Sequence, residues 1–176
     1  MAYGRRGLIM GPAERPIRKR EAARVVVRAQ GKVLVEIDSD PGVADFTWLI
    51  TPGGGIDAGE SPRETAVREL FEETGLKITV DDLAGPIARR IVSHGYSDQI
   101  LIQEEVFYLL DLAETFTPDD TFFTDAERTT MQGFLWLEPK DLAGRRVWPV
   151  ELGHLAGFSG EDFIDLGEVE ESSVPI

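Results

Sequence analysis

The chain has 176 residues, 42% of them hydrophobic and 28% charged, enough for one compact domain with a real core and too few for two comfortable ones. Its 32 acidic residues against 18 Lys and Arg leave a net charge of -14, which argues against a nucleic-acid backbone or an anionic membrane as partner. Cys is absent and His occurs twice, so disulfides, thiol nucleophiles and thiolate metal sites are excluded and any metal must sit mainly on oxygens, as hard cations do. Seven basic residues (Arg5, Arg6, Arg15, Arg18, Lys19, Arg20 and Arg24) fall in the first 24 positions, and residues 1–20 read as a basic, partly disordered arm. Residues 22–29 and 32–38 read as two strands joined at Gln30-Gly31. Residues 46–50 form a short buried strand that runs into Thr51-Pro52-Gly53-Gly54-Gly55, which is expected to be irregular.

The clearest element is a helix over 62–74. Ser61 is placed to cap it, Pro62 fits its first position, Glu64 completes a capping box and Gly75 is the expected C-terminal stop. Ala66, Val67, Leu70, Phe71 and Thr74 share its core-facing side. After it, residues 76–80, 87–92, 100–110 and 133–138 read as strands, with helical turns at 126–129, 138–142 and 150–156. From Glu161 onward there are six acids and no base, so residues 161–176 read as an acidic, mostly mobile tail with a docking contact offered by Phe163, Ile164 and Leu166. No linker divides the remaining residues 21–160, which are taken as one domain with a mixed sheet and an α+β, α/β/α layering. No apolar run is long enough to span a bilayer and no secretory signal is evident, so a cytoplasmic location is expected.

Glu69, Glu72 and Glu73 lie at i, i+3 and i+4 and therefore share one helix face, opposite Ala66, Val67 and Leu70. Like charges so spaced repel, and a divalent cation bridging them removes the repulsion. An ordinary solvated acidic face is the alternative. The preceding glycines favour the cation, because they allow close approach of backbone to a ligand or aim a carbonyl at a metal. Glu60 reaches the same region, and Arg68 is placed to hold one of the carboxylates. Candidates for base, sugar or phosphate contacts are Arg28, Trp48, Arg89, His94, Tyr96, Phe107, Tyr108 and Phe123. Trp48 sits in a buried-looking strand and has a core role as its alternative.

Residues 54–76, GGIDAGESPRETAVRELFEETGL, resemble the Nudix box, G-x5-E-x7-R-E-U-x-E-E-x-G-U with U a bulky aliphatic. The matching positions are Gly54, Glu60, Arg68, Glu69, Leu70, Glu72, Glu73, Gly75 and Leu76, with both long spacers intact. The resemblance implies a Nudix-like sandwich that hydrolyses a nucleoside diphosphate linked to another moiety, with Mg2+ or Mn2+. It implies that Glu69, Glu72 and Glu73 bind metal, that the carbonyl of Gly53 adds a ligand and that Glu60 supports the site or binds through water. Arg68 would orient a glutamate, and Gly54 and Gly55 would lie against the substrate. The general base implied is Glu69 or a later carboxylate, with Glu105 preferred over Glu104. The expected partner is a small nucleotide-like diphosphate, neither polymeric nucleic acid nor a membrane, and a homodimer fits the family. Nucleoside triphosphates, ADP-ribose and ADP-sugars all remain open as substrates. A catalytically silent nucleotide-binding or regulatory protein is the competing reading.

Overall fold

A computed structural model describes residues 14–160 and 162–176. Its strands are β1 (Ile17–Ala29), β2 (Lys32–Ser39), β3 (Thr47–Ile50), β4 (Gly53–Gly55), β5 (Ala84–Gly95), β6 (Ile100–Leu112), β7 (Gly133–Leu137), β8 (Val147–Trp148) and β9 (Ile164–Glu170). The helices are α1 (Pro62–Thr74), α2 (Glu127–Thr130) and α3 (Leu152–Ala156). All nine strands join one mixed sheet in the order β8-β3-β2-β1-β6-β5-β9, with β4 added to β1 and β7 to β2. The long parallel ladder of β1 on β6 lies at its centre.

Side chains alternate along β1, so its two faces feed two cores. Ala23, Val25 and Val27 pack with Leu34, Tyr108 and Leu110 under Ala66 and Leu70 of α1. Val26 packs on the other face with Val33, Val35, Phe107 and Leu109 under Leu152 and Leu155 of α3. A strand covered on both sides is apolar at nearly every position, which explains the run in residues 22–27, broken only by the buried Arg24. The result is the expected α+β sandwich, with helices on both faces of a mixed sheet.

Four local expectations need correction. Gly53–Gly55 is a short strand rather than irregular chain, because it pairs with residues 22–24 of β1. Residues 76–80 do not form a strand. Instead Thr79 and Asp82 cap a 3-10 turn over Val80–Asp82 reciprocally, which stops extension. The acidic end is not a mobile tail: Ile164–Glu170 pairs with β5 in parallel, and Ile164 and Leu166 pack against the α3-side core. Its alternation of apolar and acidic residues is a half-buried strand pattern that a charge count conceals. At the other end, the basic arm is part of β1 from Ile17 onward. Arg15 is buried, and its guanidinium donates to the carbonyls of Tyr96, Val174 and Pro175. Residues 1–13, with Arg5 and Arg6, lie outside the described residues. No helix among the described residues is long and apolar enough to cross a membrane.

Candidate active site

β2 is in register with β1 only at Lys32 and Val33, after which it pairs with β3 instead. β1, for its part, takes β4 as neighbour further along. The chain crosses from one to the other at Thr51 and Pro52. There the Val25 N–H donates to the Pro52 carbonyl at 2.9 Å and Arg24 Nη1 donates to the Thr51 carbonyl at 2.9 Å. The fork leaves a cleft of about 490 Å³ between Arg20 and Arg24 on β1 and Glu36 and Asp38 on β2, with Gly53–Gly55 and the α1 carboxylates completing it.

α1 presents those carboxylates because both its ends are fixed. Ser61 and Glu64 form the reciprocal capping box, and Gly75 closes the last turn in the left-handed conformation, φ 74°, its N–H donating to the Phe71 carbonyl. Arg68 organises the acidic face. It donates from Nε and Nη2 to the two oxygens of Glu60 at 2.8 and 2.9 Å, and from Nη1 to Glu69 at 2.8 Å and Glu72 at 3.2 Å. Its Nη2 also donates to the Gly55 carbonyl at 3.1 Å. Glu73 accepts from the Gly53 N–H at 2.8 Å. Gly54 packs directly on the Glu69 carboxylate, where a Cβ would fall 2.5 Å from its Cδ. Glycine is needed there for space.

The electrostatics are those of closely packed, largely buried acids. Burial, and then the neighbouring Glu36 and Glu69, raise Glu73 well above the usual carboxylate range. Burial likewise raises Glu69, and lifts Glu36 to about 8. Glu60 goes the other way, to about 2, because Arg68 and Thr65 hydrogen-bond its ionised form. Glu127 of α2 closes the cluster from above: ligand oxygens of Glu69, Glu73 and Glu127 lie within 4.8 Å of one another. Glu36 Oε1 is buried without a hydrogen-bond partner. Converging carboxylates and an orphaned buried oxygen fit a divalent cation, and an all-oxygen donor set fits Mg2+ or Mn2+.

The Nudix domain model matches residues 18–155, well over half of the chain. The chain belongs to the Nudix family. Among curated relatives, a MutT-like protein of Streptomyces ambofaciens is 39% identical over 70 residues, 40% of this chain and 42% of the relative. An RNA pyrophosphohydrolase of Psychrobacter arcticus is 33% identical over 94 residues, 49% of this chain and 53% of the relative. The chain thus spans about half the length of the curated relatives it matches. Among solved structures, a MutT protein from Bacillus halodurans aligns with TM-score 0.57 at 15% identity, covering 88% of this chain and 91% of that one. The E. coli dihydroneopterin triphosphate pyrophosphohydrolase aligns with TM-score 0.54 at 21% identity, covering 77% and 92%. At those identities the two structures speak for the fold.

The Nudix box residues Glu60, Arg68, Glu69, Glu72 and Glu73 are brought together with Gly53, Gly54 and Gly55 at one cleft. Its carboxylates are not on an open solvated face, however: Glu69 and Glu73 are buried, tucked between β4 and β2. Tyr96 lines this cleft and an adjoining cavity, and Trp48 lines the adjoining cavity. Other candidates stand elsewhere. Arg28 is held by Asp111, at 2.7 Å, and by the carbonyls of Ala156 and Phe158 near the β1–β2 turn. Arg89 pairs with Asp165 on β9. Glu104 is exposed on the opposite side of β6 from Glu105. Glu105 is fully buried between Arg24 and Arg90, 2.5 Å from each. Burial alone would raise its pKa, but the two arginines prevail and hold it at about 2. Phe107 and Tyr108 belong to the two cores. Phe123 packs on Phe134, and His94 is buried under Tyr96 and Trp148.

Sequence reasoning missed Glu36 and Glu127. Glu36 carried a signal, since Leu34, Glu36 and Asp38 alternate onto one face and an acid at a buried strand position demands an explanation. Glu127 carried none: it lies in an acidic, Thr-rich stretch, and only the tertiary path of α2 brings it over α1.

Proposed function

We propose that this Nudix protein hydrolyses a phosphoanhydride bond in a small nucleotide, a nucleoside diphosphate linked to another moiety of the nucleoside triphosphate, ADP-ribose or ADP-sugar type, with a divalent cation. The observation that carries this reading is the convergence of Glu69, Glu73 and Glu127 beside Arg20 in an open cleft. Glu69, Glu72 and Glu73, with the Gly53 carbonyl, would hold Mg2+ or Mn2+, and Glu60 supports them through Arg68. When bound, the cation would neutralise diphosphate oxygens and acidify the attacking water. Arg20 is hydrogen-bonded to the neutral amide oxygen of Gln103 rather than to a carboxylate, so its charge is available to a phosphate. The Gly54 and Gly55 backbone lies against the same space. Glu69 or Glu127 would take the proton from water. Glu105, held ionised by two arginines, is a poor acceptor and acts by fixing Arg24 in the cleft wall. The acidic surface favours a small substrate over a polymer.

The test is a Mg2+ and Mn2+ activity screen over nucleoside triphosphates, ADP-ribose, ADP-sugars and NADH, read by phosphate release with and without added phosphatase. A 5′-triphosphorylated RNA is included because a relative is named RNA pyrophosphohydrolase. Turnover that disappears in Glu73→Gln and falls steeply in Glu127→Gln is expected. Cation binding, seen as a raised melting temperature, with no turnover of any substrate would favour the silent nucleotide-binding reading.

A further inference from the structure

Arg20, Arg24 and Arg68 all line the cleft, and two of them are paired with acids. Arg24 pairs with Glu105, and Arg68 with Asp57, Glu60, Glu69 and Glu72. Arg20 has no ion pair among the described residues, and the one hydrogen bond of its guanidinium there runs from Nε to Gln103 Oε1 at 2.5 Å. Gln103 is buried, only 1% exposed, and is the registered partner of Arg20 across the parallel β1–β6 ladder. The two side chains therefore stand on one face of the sheet. The Gln103 amide has a single workable orientation. Glu105, two residues further along β6 on the same face, is ionised between Arg24 and Arg90 and can only accept. Gln103 Nε2 donates to Glu105 Oε1 at 2.6 Å, which turns the amide oxygen toward Arg20. Arg20 also lies against Gly55, where a Cβ would fall 3.1 Å from Nη1 and 3.2 Å from Cδ. Its side chain is exposed and lines both the cleft and the cavity beside it.

An unrestrained arginine beside Asp38, Glu69 and Glu73 would pair with one of them, and its charge would no longer serve a ligand. A neutral acceptor at Nε restrains the side chain without cancelling its charge. It also leaves both terminal nitrogens, which suit phosphate oxygens, without a protein partner. A side chain ordered before the ligand arrives loses less freedom on binding. We infer that Gln103, oriented by Glu105, is a positioning residue that holds Arg20 ready for a phosphate oxygen of the substrate and away from the carboxylates of the cluster. The inference deepens the proposed function and rests on it for the phosphate-bearing ligand, while its measurement needs no turnover.

The experiment is calorimetric binding of inorganic pyrophosphate with Mg2+ to the full chain, a probe that carries no base or sugar. Four proteins are compared: unaltered, Arg20→Met, Gln103→Met and the double variant. Arg20→Met should bind about tenfold more weakly, the scale of one charge-assisted hydrogen bond. Gln103→Met should bind about fivefold more weakly, the scale of leaving one long side chain to be ordered by the ligand. The double variant should bind no more weakly than Arg20→Met, because Gln103 acts only through Arg20. Gln103→Asn keeps a buried amide but is too short to bridge Glu105 and Arg20, so it should repeat the pattern and serves if Gln103→Met melts early. Losses that add in the double variant would assign Gln103 a general structural role and overturn the inference. So would unchanged affinity in both Gln103 variants, or no pyrophosphate binding by the unaltered protein. Hydrolysis that is lost in Glu73→Gln, with pyrophosphate affinity unaffected at Gln103, would overturn the inference and leave the hydrolase reading standing. Coupled losses of binding in a protein that turns over no nucleotide would do the reverse.

Discussion

Glu105 lies between Arg24 and Arg90 and pairs with both guanidinium groups in a buried setting, Arg90 having Glu171 as a second partner. Replacing Glu105 by Gln leaves Arg24 without its ion-pair partner and Arg90 with Glu171 alone, and breaking a buried pair in this way costs about 3–5 kcal/mol. Urea unfolding should show that loss. Gly54 sets a different limit. Because a methyl there would meet the Glu69 carboxyl group, Gly54→Ala should displace the carboxylate by about 1 Å and lower kcat by about a hundredfold, with the melting temperature little changed. Kinetics and a thermal melt on the same sample separate those two effects. At this scale the sequence was legible where spacing along one helix sufficed, as for Glu69, Glu72 and Glu73. It was not legible where two carboxylates from distant segments, Glu36 and Glu127, had to be carried onto that helix by the fold.

Local signals that agree define an element most firmly. In α1 the cap, the first-turn proline, the apolar spacing and the terminal glycine all specify the same thirteen residues, and the helix spans them. Ser61→Ala removes the cap acceptor for the Glu64 N–H and one of the two donors to the Glu64 side chain, leaving the Ser61 N–H. It should lower stability by about 1 kcal/mol, the usual worth of such a cap, readable as an earlier thermal midpoint. Strands at the sheet margins were harder to read. β4 consists of three glycines with no side chain to reveal a pleat, and it exists through its pairing with β1. β9 interleaves its apolar residues with acids, and composition outweighed alternation. In residues 76–80, by contrast, β-branched residues suggested a strand and the Thr79–Asp82 turn won locally.

Across the whole molecule, the far end of the cleft is closed by segments remote in sequence. His94 packs beneath Tyr96 and Trp148, and its Nδ1 is 2.8 Å from the Glu171 carbonyl. Burial depresses its pKa from 6.5 to about 4. The folded protein therefore keeps a neutral imidazole where the unfolded chain takes up a proton. This contribution is complete above pH 6.5 and is lost as pH falls through that window toward 4, a change on the order of 3 kcal/mol. Urea titrations at pH 7, 5.5 and 4 should show the decline, and His94→Gln should flatten it. Beside it, Asp40 accepts hydrogen bonds from the Ser97 N–H and from the Ser97 and Ser173 hydroxyls, tying the β5–β6 turn to the C-terminal segment.

Those ties bear on how the protein is made. Arg15 bonds the carbonyls of Val174 and Pro175, 159 and 160 positions later in the chain. During synthesis every residue of the acid cluster is made before these partners. The Arg15 clasp, which also holds the Tyr96 carbonyl, can therefore close only once Val174 and Pro175 have emerged. The order of synthesis thus puts the closing of this clasp after every residue of the acid cluster has been made.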